Sequence, residues 1–176
     1  MSDECVKRIQ ERQSIRRYSA EPIPEEILDS VLRTGFSAPS AGNRQPWRVV
    51  QVTAQDLKGR LAIAAGGQTF LSRAPVVFVV CAVPQESGER YRERGVTLYA
   101  LQDTAALTQN LLLAIHILGY ASCWIGAFDE KQVKEVLNIP QGIRPVAIIP
   151  IGKLDGKQPP KPPRKNMKEI VIKESF

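Results

Sequence analysis

The chain has 176 residues, is 43% hydrophobic and 6% aromatic, and carries a formal charge of +6. That length suits one domain with a sizeable core. The few aromatics argue against a nucleic-acid stacking platform, and one histidine with three scattered cysteines (Cys5, Cys81 and Cys123) argues against a metal site or a disulfide framework. The longest unbroken apolar run, APVVFVVCAV, is too short to cross a bilayer. The charged start MSDECVKRIQERQ lacks the apolar stretch of a signal peptide, so a cytoplasmic protein is expected.

Residues 3–12 read as a short helix, broken by SIRRYSAEPIP. Pro24 suits the first turn of a second helix, with Glu25 and Glu26 near its positive end. Ile27, Leu28, Val31 and Leu32 recur there at helical spacing. The connector SAPSAGNRQPW leads into a strand over Trp47–Thr53, anchored by Trp47, and AQDLKGRLAIAAG reads as a third helix. PVVFVVCAV is rich in β-branched residues and apolar on both faces, as a central strand is. VPQESGERYRERGV reads as a brief polar approach to a long helix over about Thr97 to Leu118. That helix is apolar nearly all round, which puts it inside the fold or at a dimer contact. Gly119 stops it, Asp129 caps EKQVKEVLN with Gln132 completing a capping box, and PVAIIPIG is another strand. The remainder, 153–176, is basic and proline-rich and reads as an extended arm of a single domain spanning 1–176. Alternating helices and strands imply an α+β or α/β class.

Four stretches bear on chemistry. RQSIRR, at Arg12–Arg17, offers guanidinium forks, a hydroxyl and free backbone N–H groups, the donor set a phosphate monoester needs. Spacing alone fits a solvated basic turn better. PPRK, with Arg164 and Lys165, fits a second phosphate contact, a loose tail or a proline-rich peptide ligand. SCWIGAF is either a backbone that lets a flat ligand approach at Gly126 or a buried connector filled by Trp124 and Phe128. His116 lies in LLLAIHILG, where a helix-packing histidine fits better than a Ser-His-Asp triad. No glycine-rich phosphate loop of the usual patterns occurs.

In order, RQSIRRY, APSAGNRQPWRVV, AALTQNLLLAIHILGYASCWIGAF and IPIGKLDGKQPPKPPRK resemble the nitroreductase family of flavin enzymes in its compact form. The resemblance spans nearly the whole chain. It implies an α+β fold with a central, mainly antiparallel sheet flanked by helices, in a homodimer that exchanges its C-terminal arms and holds FMN at the subunit interface. Arg12 and Ser14 would hold the FMN phosphate, with Gln13 nearby and Arg16 toward the N1/O2 side of the ring. Pro39, Ser40, Ala41, Asn43 and Gln45 would come from the other subunit. Trp124, Ile125 and Gly126 would lie beside the ring near N5, Gln68 at the pyrimidine edge, and Arg164 with Lys165 at the phosphate.

The activity implied is an FMN-dependent oxidoreductase. It would use NADH or NADPH to reduce nitroaromatic, quinone or similar acceptors by ping-pong hydride transfer through flavin N5, with no catalytic side chain. Dehalogenation, flavin fragmentation and heterocycle oxidation occur in the same family. A basic binding protein with incidental flavin is the reading from another class, and arginines placed in flavin motifs argue against it. Between Val83 and Thr97 the chain is brief, so an open site or one covered by a flexible segment is expected. Arg90, Arg92 and Arg94 there fit a solvated charge run better than a nicotinamide dinucleotide contact.

Overall fold

The computed structural model describes residues 2–175; Met1 and Phe176, the ends of the expected domain and arm, lie outside the described residues. The core is built around β2 (Val76–Ala82), every residue of which is buried. It pairs antiparallel with β1 (Trp47–Val52) on one side and β4 (Arg144–Gly152) on the other, and β4 carries the two-residue edge strand β3 (Ala121–Ser122). The order is β1-β2-β4-β3. Alternation along β2 sends Val77, Val79 and Cys81 into one cluster with Leu61, Leu71, Val133 and Ile148, and Val76, Phe78 and Val80 into another with Leu28, Val31, Leu111 and Ile115. Helices cover both faces, which is why the strand is apolar throughout. Fully burying side chains such as Phe78, Leu111 and Ile148 stabilises the fold by about 1.5–3 kcal/mol each.

One face is covered by α3 (Gln55–Ala64), the short α4 (Phe70–Arg73) and α7 (Glu130–Leu137). The other is covered by α2 (Glu25–Phe36) and α6 (Ala100–Ile117). These two helices approach closely at Gly35, where an added Cβ would fall 2.4 Å from Leu111 Cδ2. Asp129 caps α7 as expected, accepting a hydrogen bond from the Gln132 N–H. The first helix, α1, spans Ser2–Glu11. The fold class expected from the sequence holds.

Three stretches depart from expectation. VPQESGERYRERGV is not a loose approach: Pro84–Arg94 forms a helix, α5, followed by a wide helical turn over Gly95–Tyr99, so the long helix begins only at Ala100. The α5 helix is polar because backbone packing and polar side-chain contacts hold it. A Cβ at Gly95 would fall 2.4 Å from the Ser87 carbonyl oxygen, and Glu86 and Glu89 bond arginines of the β1 region. Second, α6 has a polar exposed stripe at Gln102 and Gln109, with Ile117 and Leu118 exposed at its end. Third, the extended arm includes one helical turn, α8 (Met167–Ile170).

Candidate functional site

The segment after α1 is pinned by two buried side chains, Ile15 and Tyr18. The Ile15 N–H donates to the Ser122 carbonyl of β3 at 2.9 Å, and Tyr18 bridges to Leu154. The Tyr18 hydroxyl donates to the Ile15 carbonyl and lies 3.6 Å from Cys123 Sγ. Burial raises both the tyrosine and this thiol, so neither ionises near neutrality. With Ile15 and Tyr18 turned inward, Arg12, Gln13 and Ser14 are left half-buried and Arg16 exposed.

The arm crosses this segment. Gln13 Nε2 donates to the Pro159 carbonyl at 3.1 Å, Arg17 donates to the Lys157 carbonyl, and Lys161 donates to the Gln10 carbonyl. Arg164 is thereby brought to Arg12 from the opposite end of the chain. Burial, and then the like charge of Arg164, lower the Arg12 guanidinium from its usual value. A guanidinium keeps its proton at neutral pH, so this cost amounts to a demand for an anion. Among the described residues neither arginine has an acidic partner within ion-pair distance. Beside Arg12 lies a cavity of about 200 Å³, also lined by Arg8, Gln13, His116 and Ser122. Gln13 Oε1 and His116 Nε2 are buried without a hydrogen-bond partner. Lys165 is exposed, with no hydrogen bond or ion pair to the segment among the described residues.

From β3 the chain continues directly into 124–126. Ile125 is buried and exchanges two backbone hydrogen bonds with Ile148, at 2.9 and 3.0 Å. That leaves Trp124 39% exposed, a surface ring and not a core filler, while Phe128 packs partly against the core. An added Cβ at Gly126 would meet only Trp124 Nε1, at 3.9 Å, so nothing within the chain requires glycine there. A cavity of about 280 Å³ adjoins Trp124 and Gly126, bounded by Thr104, Phe128 and Arg144. Gln68 joins this region: its Nε2 donates to the carbonyls of Ala65 at 2.8 Å and Ala127 at 3.3 Å.

The loop holding Pro39, Ser40, Ala41, Asn43 and Gln45 is elsewhere. It is tied to the start of α6, where the Ala41 N–H donates to Asp103 Oδ1 at 3.0 Å, while Arg12 faces His116 at the other end. Thirteen residues of helix separate those anchors, or about 20 Å at 1.5 Å per residue. Gly42, Asn43 and Gln45 all have positive φ, near 56°, 55° and 50°. Gly42 is crowded as well as left-handed, since a Cβ would fall 2.6 Å from the Tyr91 hydroxyl of α5. The Gln45 N–H donates to Ser40 Oγ, and the Gln45 side chain donates to the Asn43 carbonyl. Along α5, Arg90 stacks on Tyr91 and Arg94 on Tyr99, so two of its three arginines are engaged by rings, while Arg92 is exposed.

Sequence reasoning passed over Arg8, Tyr18, Asp103 and His116 as parts of the site. The available signal was polarity on an apolar helix: Asp103 is buried in α6, and its carboxyl is raised by that burial against the lowering effect of the Ala41 N–H. Among the described residues no cluster of His, Cys, Asp and Glu is fit to hold a metal, and no helix is long and apolar enough to cross a membrane.

The fold and this region define an α+β protein with helices on both faces of an antiparallel sheet and a half-buried cationic pocket at the sheet edge. The sequence profile of the nitroreductase family matches residues 9–67 and 54–153. An NADH dehydrogenase of Thermus thermophilus is 32% identical over 168 residues, covering 80% of this chain and 82% of that protein. An FMN reductase [NAD(P)H] of Bacillus subtilis is 28% identical over 163 residues, covering 85% of this chain and 66% of that protein. Among solved structures, the NADPH:FMN oxidoreductase of Vibrio harveyi complexed with NAD+ superposes with a TM-score of 0.89 at 26% identity, over 98% of this chain and 76% of that one. The chain belongs to the nitroreductase family.

Proposed function

We propose that the chain is an FMN-dependent NAD(P)H oxidoreductase of the cytoplasm that reduces nitroaromatic, quinone or similar acceptors. It works as a homodimer, with 1–176 forming one domain and 153–176 its exchanged arm. The observation that carries this reading is the pair Arg12 and Arg164, one from each end of the chain, near enough for the charge of one to bear on the other, with no ion-pair partner for either among the described residues. A phosphate monoester of close to two negative charges fits that demand. FMN supplies the hydride-accepting and hydride-donating centre for a ping-pong cycle, in which NAD(P)H and acceptor use one site in turn.

The chain's own residues bind and orient. Arg12, Ser14 and Arg164 hold the phosphate, with Gln13 beside them and Lys165 outside. Arg16, exposed on the same segment, supplies positive charge where reduction leaves negative charge at N1 and O2. Backbone at Ile125 and Gly126, with Trp124 and Gln68, frames the ring. Pro39, Ser40, Ala41, Asn43 and Gln45 lie about 20 Å along α6 from the phosphate cradle of their own chain, which supports a role at the partner's flavin. Exposed apolar side chains on α1 (Val6, Ile9), after α6 (Leu118) and in the arm (Met167, Ile170) support a partner that covers them. Unpaired buried Cys81 and Cys123 suit a reducing compartment.

The test is spectroscopic. Purified protein should be yellow, and its flavin absorbance should bleach when NADH or NADPH is added without oxygen and return with a quinone or nitroaromatic. A colourless protein that neither takes up FMN nor melts higher in its presence would overturn the reading.

A further inference from the structure

His116 is the chain's sole histidine and sits in the last turn of α6. Its Nε2 is buried with no partner, and it lines the same 200 Å³ cavity as Arg12 and Gln13. The charged groups facing it come from α1 and the segment after it: Arg8, Glu11 and Arg12. Lys7 and Lys161 line the wider groove outside, and α6 adds no other charge in its final turn. An unpartnered ring nitrogen beside two arginines, in a polar cavity, has no group that would accept a proton placed on it, a role that an anionic oxygen would fill.

We propose that His116 is a further ligand of the FMN phosphate and that FMN binding draws a proton from solvent onto its Nε2. This rests on the FMN reading above. Without an anion, three influences keep the imidazole neutral: burial first, then the charges of Arg12 and Arg8. The Arg8 backbone and Glu11 favour the protonated ring but do not outweigh them. A phosphate on Arg12 reverses the balance, because it neutralises the repelling arginine and places an oxygen where Nε2–H can donate. The Nε2 proton then joins a charge-assisted hydrogen bond.

The sign follows from linkage. A histidine raised by the bound phosphate binds its proton more tightly in the complex, so this contribution to FMN affinity grows as pH falls from 8 toward 6. Riboflavin, which lacks the phosphate, should show none of it.

With one histidine, its ring protons can be followed by NMR without assignment. The protein is titrated with pH in three forms: freed of flavin, loaded with FMN, and loaded with riboflavin. The expected result is a midpoint that moves up with FMN and stays put with riboflavin. In parallel, His116→Gln should lose the acid-side gain in FMN affinity, a factor on the order of tenfold between pH 8 and 6, while its riboflavin affinity follows the wild type. An unchanged histidine midpoint in the FMN form overturns the proposal and leaves the FMN reading standing. So does an equal shift with riboflavin, which would mark burial by the ring and not contact with phosphate. Failure to bind any flavin, read from absorbance in the same samples, overturns both.

Discussion

The two ends of α6 carry similar residues in opposite electrostatic states. At its start, near the 39–45 loop, the arginines are matched by acids, although Asp103 Oδ2 is buried without a partner. Arg44 pairs with Glu89, Arg48 with Glu86 at 2.5 Å, and the Asp103 carboxylate accepts the Ala41 N–H. At its end, Arg12 feels the like charge of Arg164 and lies near His116. Neither arginine has an ion-pair partner among the described residues, although Glu11 is near the histidine. Arginines paired within the chain have their counter-charge already and serve to hold shape. An unmatched, half-buried one lowers stability unless something binds, and folded chains retain such costs at working sites.

The strongest way to break this comparison is to remove the unmatched pair. Arg12→Ala with Arg164→Ala should weaken FMN binding by at least about a hundredfold, since each charged hydrogen bond contributes roughly 1.5–3 kcal/mol. The flavin-free protein should melt no lower than wild type, because the substitutions relieve repulsion. FMN titration and calorimetry on the same preparations read both quantities. Unchanged FMN affinity, or a large loss of flavin-free stability, would mean the arginines are structural.

Much of the architecture was legible because apolar spacing reports it directly. The β-branched run of β2, the helical spacing of Leu28, Val31 and Leu32 and the Asp129 cap each have a local cause. The parts that were not legible are held by contacts across the chain. Helix α5 shows no apolar stripe, since Ser87 lies against Gly95 and its glutamates reach Arg44 and Arg48. Strand β3 has two residues and exists because β4 offers a free edge. His116 looked like helix packing in the linear sequence. Only the crossing of α1 and the segment after it over the end of α6 gives it the arginine neighbours Arg8 and Arg12.

A middle-sized effect should appear at the matched end. Asp103→Ala removes the acceptor of the Ala41 N–H and should cost about 1–3 kcal/mol in denaturant unfolding. Asp103→Asn keeps an acceptor oxygen and should cost less. The pH dependence has a definite sign. Burial raises the Asp103 carboxyl above its ordinary 3.8. A raised group contributes most to folding below its unfolded value, and that contribution is lost as pH climbs through the folded value. Wild type should lose stability relative to Asp103→Asn across that acid window and keep a constant gap above it. A gap that does not vary with pH would mean that the carboxylate is not desolvated as the geometry implies.

The smallest effect is expected at the surface ion pairs of α5, and it sharpens the contrast most. Arg44→Ala removes two contacts, the Arg44 pairing with Glu89 and a 2.8 Å hydrogen bond from Nε to the Glu86 carbonyl. Glu89→Ala removes only the first, and Glu89 is largely exposed. A double-mutant cycle should therefore return no more than about 1 kcal/mol for the Arg44–Glu89 coupling, shrinking with added salt. The single Arg44 variant should exceed that value by the backbone bond it also loses. FMN affinity should respond to these changes only through the posture of the 39–45 loop, and far less than to Arg12 or Arg164. If Glu89→Ala alone matched the double arginine variant in FMN loss, pairing would no longer separate the two ends of α6. Charge at the start of the helix would then serve the ligand as directly as charge at its end.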